Sequence, residues 1–180
     1  MKGIIFNLLE TVVTRDLGED TWDALLEATG LTGAYTSVGT YPHEELLALV
    51  GAASAATGRP ADELVRWFGR ESIPLLYDRY AVFFDTHTTT RGFLLTLNDV
   101  IHPEVRKLFP GAYAPSFIVS GEDDAGLLLA YESHRGLCAF GEGLILGTAD
   151  HYDEQVEVDQ TECALKGAPR CVLRTSTVAA

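Results

Sequence analysis

Near Pro110-Gly111 the apolar residues change their spacing, and that change restricts the possible folds more than any other feature of the chain. Upstream they recur three and four apart, as in Ile4, Ile5, Leu8, Leu9 and Val12, or Trp22, Leu25 and Leu26 ahead of Gly30. Leu46, Leu47, Leu49 and Val50 ahead of Gly58 repeat the pattern, as do Leu64, Val65, Trp67 and Phe68 behind Asp62. Such spacing gathers apolar side chains on one face of a helix. Glu71 to Tyr80 is predicted as another short helix, although Pro74 limits where it can start. Thr88 to Val100 is predicted helical with Phe93, Leu94, Leu95 and Leu97 inside, and a break is expected at His102-Pro103. Pro103 can open a further short helix, Glu104 to Phe109.

Downstream, short apolar runs alternate with turn residues. Ser116–Ser120 and Leu127–Ser133 read as strands around the polar turn Gly121-Glu122-Asp123-Asp124-Ala125-Gly126. Gln155–Cys163 and Cys171–Thr175 read as a second pair around Lys166-Gly167-Ala168-Pro169. Between the pairs, Leu137, Phe140, Leu144 and Ile145 have helical spacing. An α+β fold is therefore expected, a helical N-terminal part followed by a C-terminal antiparallel sheet with one inserted helix. Residues 1–175 are expected to form a single domain and 176–180 a frayed tail.

Thirteen basic residues against 26 acidic ones give a net charge of -13. A surface of that sign repels phosphate, so neither nucleic acid nor an anionic membrane is an expected partner. No stretch of 18 apolar residues offers a membrane span. Three cysteines are too few for a disulfide scaffold and suit a reducing, cytoplasmic setting. No Gly-rich phosphate loop, Gly-x-Ser-x-Gly elbow or His-Glu-x-x-His helix is present, so no enzyme activity is expected.

Two groups of residues have chemical potential. His102, between an apolar helix and a short amphipathic one, is either a capping residue at a bend or an interior imidazole able to bind a metal. Tyr131, Ser133 and Arg135 share one face if their segment is extended. Two hydroxyls and a guanidinium there match a pair of carboxylates or a phosphate, unless the face is merely a wet strand edge.

His102 together with Tyr131-x-Ser133-x-Arg135, the opening Met1-Lys2-Gly3, and Pro115 before a strand resembles the heme-nitric oxide/oxygen binding (H-NOX) family, of the stand-alone bacterial type. The resemblance runs from Met1 to Cys171. It implies heme b buried between the helical part and the sheet, with His102 as the iron ligand. It further implies Tyr131, Ser133 and Arg135 as a clamp on the propionates and Pro115 pressing on the porphyrin. The distal position occupied by tyrosine in oxygen-holding members matches Phe140, and its polar partner position matches Pro74. Neither can donate a hydrogen bond to bound oxygen, so nitric oxide and carbon monoxide are the expected ligands. Ile5, Leu9 and Leu144 are candidates for the apolar pocket wall.

The family's switch, in which gas binding breaks the iron–histidine bond, implies release of the helix bearing His102. The signal is then expected to pass to a separate effector, a histidine kinase or a cyclic-dinucleotide enzyme. Some members hold zinc with three cysteines and a histidine. Cys138, Cys163 and Cys171 match the cysteines, but Gln160 stands where the histidine would be. Asp159, Glu162 or His151 could replace it, and buried or redox-active thiols are the alternative. A heme-free zinc-structural or thiol-redox interaction domain on the same fold is the competing function.

Overall fold

The computed structural model describes residues 1–123 and 126–178, with the side chain of Asp123 left out. Asp124 and Ala125 of the expected polar turn, and Ala179 and Ala180 of the expected tail, lie outside the described residues. Four helices come first: α1 (Gly3–Leu17), α2 (Glu19–Thr29), α3 (His43–Thr57) and α4 (Ala61–Phe84). Then follow α5 (Thr90–Leu95), a π-helical turn (Leu97–Ile101) and α6 (His102–Leu108). Strands β1 (Ser116–Asp123) and β2 (Gly126–Glu132), helix α7 (Cys138–His151), and strands β3 (Val156–Glu162) and β4 (Cys171–Thr177) complete the chain. The strands form one antiparallel sheet in the order β1-β2-β4-β3. The α+β architecture expected from the spacing is the one observed. The strand β4 continues through Thr177, two residues into the stretch expected to fray.

The stretch 71–80 is not a separate helix as expected, because α4 runs through Pro74. The proline sits inside α4, exposed, beside Ile73, which is buried. Its ring faces solvent, and the backbone leaves helical angles only at Tyr80 (φ -138°, ψ 38°). Around the proline α4 packs closely on α7. A Cβ on Gly143 would stand 2.0 Å from the carbonyl oxygen of Arg66, and one on Gly69 2.5 Å from that of Phe140. Only glycine lets two helix backbones approach so closely. Arg66–Glu142 and Arg70–Asp150 ion pairs span the same seam.

Two apolar cores result. One gathers Phe6, Leu8, Leu9, Val12, Trp22, Leu46 and Phe68 from the N-terminal helices. The other joins Phe84, Phe93, Leu97 and Ile101 to Phe117, Leu127, Leu129, Tyr131 and Leu173 of the sheet. In β2 the alternate residues Leu127, Leu129 and Tyr131 are buried, as period-two side chains require.

Candidate functional site

A cavity of about 270 Å³ takes its walls from both cores. His102, Pro115, Tyr131, Ser133, Arg135, Phe140, Leu144 and Ile5 all line it. Two expected wall residues do not. Leu9 lies one turn beyond Ile5 on α1 and packs in the N-terminal core instead. Pro74 is on the outer face of α4, which turns Ile73, Leu76 and Tyr80 to the cavity. Successive helical residues point about 100° apart, so the face that buries Ile73 turns Pro74 outward.

The helical segment carrying His102 is not broken at Pro103. Proline lacks an N–H and its ring crowds the carbonyl four residues back, which here belongs to Asp99. The turn before it is widened instead: the amides of Ile101 and His102 donate to the carbonyls of Thr96 and Leu97, five residues back. Such π-helical turns often mark functional sites. Within it, Asn98 faces β1 and closes a two-way bond. Its Nδ2 donates to the carbonyl of Phe117, and the Phe117 amide donates to its Oδ1 at 3.2 Å. The Phe117 ring in turn lies 6.2 Å from the His102 ring and 5.2 Å from that of Tyr131. The sequence offered one clue to Asn98, its place one helical turn before His102.

His102 is largely removed from water, and its Nδ1 is buried with no hydrogen-bond partner. Burial, reinforced by the charge of Arg106, pushes its pKa down to about 4. The ring is neutral at pH 7, so one nitrogen keeps a lone pair for a metal. An interior imidazole is observed, and the bend-capping alternative has no support here.

Tyr131, Ser133 and Arg135 reach the cavity by a different route from the one expected. The strand β2 stops at Glu132, so the three do not share a strand face. Ser133 Oγ accepts the amide N–H of Arg135 at 3.2 Å, a side-chain turn that curls the chain and returns the guanidinium to the cavity. Arg135 Nη1 donates to the carbonyl of Tyr113 at 3.1 Å, and the guanidinium lies 4.9 Å over the Tyr113 ring. Among the described residues Arg135 has no carboxylate partner, although the chain is strongly acidic. Burial pushes the Tyr131 phenol up to about 12, so it stays a neutral hydrogen-bond donor. A neutral imidazole with a buried, unpartnered nitrogen, an apolar cavity and an arginine without an anion at its rim together fit a heme. The ring plane would meet apolar walls and its carboxylates the guanidinium.

Tyr80, Phe117 and Tyr113 also line the cavity and were missed by sequence reasoning. Tyr80 shares helical spacing with Ile73 and Leu76 on the cavity face of α4, the one signal that could have found it.

The three cysteines converge beside this site. Cys138 opens α7, Cys163 follows β3 and Cys171 opens β4, directly opposite Tyr131 in the sheet. Their sulfurs lie within 4.8 Å of one another, and all three are buried. His151, Asp159 and Glu162 do not join them among the described residues. His151 is instead packed among the rings of Tyr77, Phe84 and Tyr152, at 4.4, 5.2 and 4.8 Å. Gln160 lies beside Cys138, with its Nε2 buried and without a hydrogen-bond partner. Burial pushes the Cys138 thiol up to about 11. A tetrahedral zinc set is incomplete here.

Comparison with known proteins places these features in context. The Haem-NO-binding family model matches residues 2–160. Soluble guanylate cyclase gcy-31 of Caenorhabditis elegans is 29% identical over 170 residues, 92% of this chain and 23% of that protein. The chain thus spans about a quarter of that relative. An H-NOX protein from S. oneidensis, solved in the Fe(II)NO state, superposes with a TM-score of 0.93 at 30% identity, covering 99% of this chain and 100% of that one. The Fe(II) unliganded H-NOX protein from K. algicida does so at 0.90 and 28%, covering 100% and 98%.

Proposed function

The chain belongs to the Haem-NO-binding family, and from that premise we propose that it holds heme b in the cavity and senses nitric oxide there. The observation that carries this is the buried, unpartnered Nδ1 of His102, whose ring stands in the cavity wall. The heme would supply an iron able to bind nitric oxide or carbon monoxide. His102 would ligate that iron. Arg135, Tyr131 and Ser133 would bind the two propionates and fix the orientation of the ring, and Pro115 would press on its face.

Phe140 and Leu144 on α7 and Ile5 on α1 offer a gas only apolar contacts. Bound oxygen carries negative charge and needs a hydrogen-bond donor, while nitric oxide does not, so this wall favours nitric oxide. The helix α6 has no buried residue of its own. It is fixed at its start by His102 and, just before that, by Asn98, so a change at His102 moves α6 first. Such a movement would be read by a separate effector, a histidine kinase or a cyclic-dinucleotide enzyme. No helix among the described residues is long and apolar enough to cross a membrane.

The variant His102→Ala tests the assignment. Purified protein is expected to contain little heme, or to retain it only when imidazole is supplied. Full heme content without imidazole would refute His102 as the ligand.

A further inference from the structure

We infer that the pocket of Cys138, Cys163 and Cys171 is a three-sulfur site for Cu(I) and not a zinc site. A structural zinc ion requires four ligands in a tetrahedron. The described residues place three thiols together and no histidine or carboxylate with them. The residue beside Cys138 is Gln160, whose buried Nε2 has no hydrogen-bond partner and, as an N–H donor, offers a metal no lone pair. An N–H repels a cation but stabilises a thiolate. The amide of Ala164 acts in the same sense, donating to Cys171 Sγ at 3.3 Å. A soft monovalent ion is satisfied by thiolates alone and needs no fourth ligand. Each thiol that binds gives its proton to solvent as its sulfur–copper bond forms. The copper remains Cu(I) and nothing is oxidised. The buried setting of all three sulfurs shields the ion from oxidants.

This inference does not depend on the gas-sensing proposal. The test uses the heme-loaded full chain, reduced and anaerobic, dialysed against Cu(I) held by a bathocuproine chelator or against buffered Zn(II), followed by metal analysis. Wild type is expected to retain one equivalent of copper with an all-sulfur first shell by copper X-ray absorption. It should hold zinc about 10- to 100-fold more weakly than Gln160→His, which restores a fourth ligand. Zinc held as tightly by wild type as by Gln160→His would overturn the inference, as would a copper shell containing nitrogen or oxygen. Cys163→Ser should lose the copper while keeping the native circular dichroism spectrum. Should that variant fail to fold, the absorption shell and the Gln160→His comparison still decide.

Discussion

Arg135 rests on a carbonyl and an aromatic face, both neutral, so an arriving carboxylate displaces weak partners and gains a charge-assisted pair. Ser133 contributes differently, because its hydroxyl also shapes the turn that aims the guanidinium. Arg135→Ala is therefore expected to speed heme loss more than Ser133→Ala, whose direct cost is that of a neutral hydrogen bond, about 1 kcal/mol. Heme transfer to excess apomyoglobin measures both rates, and an unchanged rate in Arg135→Ala would place the propionates elsewhere. On the gas side the residue of interest moves from Pro74 to Tyr80, a cavity-lining residue that carries a hydroxyl. If the apolar wall around Phe140 governs selectivity, Tyr80→Phe leaves the air spectrum of the reduced protein unchanged. Phe140→Tyr should gain weak oxygen affinity, and adding Pro74→Asn should gain nothing, because that position faces solvent. A spectrum altered by Tyr80→Phe would show that Tyr80, not Phe140, sets the preference.

The π-helical turn and β1 behave as one element, joined by the reciprocal bond between Asn98 and Phe117. Asn98→Ala removes two hydrogen bonds worth about 1 kcal/mol each, so the Phe117 amide should exchange with solvent at least tenfold faster. Hydrogen exchange read by mass spectrometry or NMR checks this, and an unchanged rate would mean that the two elements are held together by packing alone. How far such elements were legible in the sequence follows from their physics. The helix-to-sheet order was written in the apolar spacing, since 3.6- and 2-residue periods differ clearly over a few turns. His102, Tyr131, Ser133 and Arg135 were legible as a set through their resemblance to a known family. Spacing alone left His102 between cap and ligand and the other three between an anion site and a wet edge. The union of residues 71–80 with the preceding helix was hidden because Pro74 suggests a helix start nearby, whereas α4 runs through it with the ring on its exposed side. The π-helical turn was hidden because one extra residue per turn looks like an imperfect α pattern. The curl at Ser133 was hidden because a side-chain-to-backbone bond, not a hydrophobic period, ends β2 there.

At the scale of the whole molecule, the cavity lies where two cores meet, with α1 and α4 contributing from one side and the α5–α6 segment and the sheet from the other. A ligand there touches both halves of the chain, so a change at His102 is felt by the sheet through Phe117 and by the helices through the cavity wall. That geometry suits a sensor whose readout is a movement between two packed bodies. All of this rests on the claim that the cavity holds heme and favours nitric oxide. The most direct measurement is the visible absorption spectrum of the reduced, heme-loaded protein, recorded in air and then under nitric oxide. The account predicts no lasting oxygenated spectrum in air and a complete, stable change under nitric oxide. A persistent oxygenated spectrum in air, or no response to nitric oxide, would contradict it.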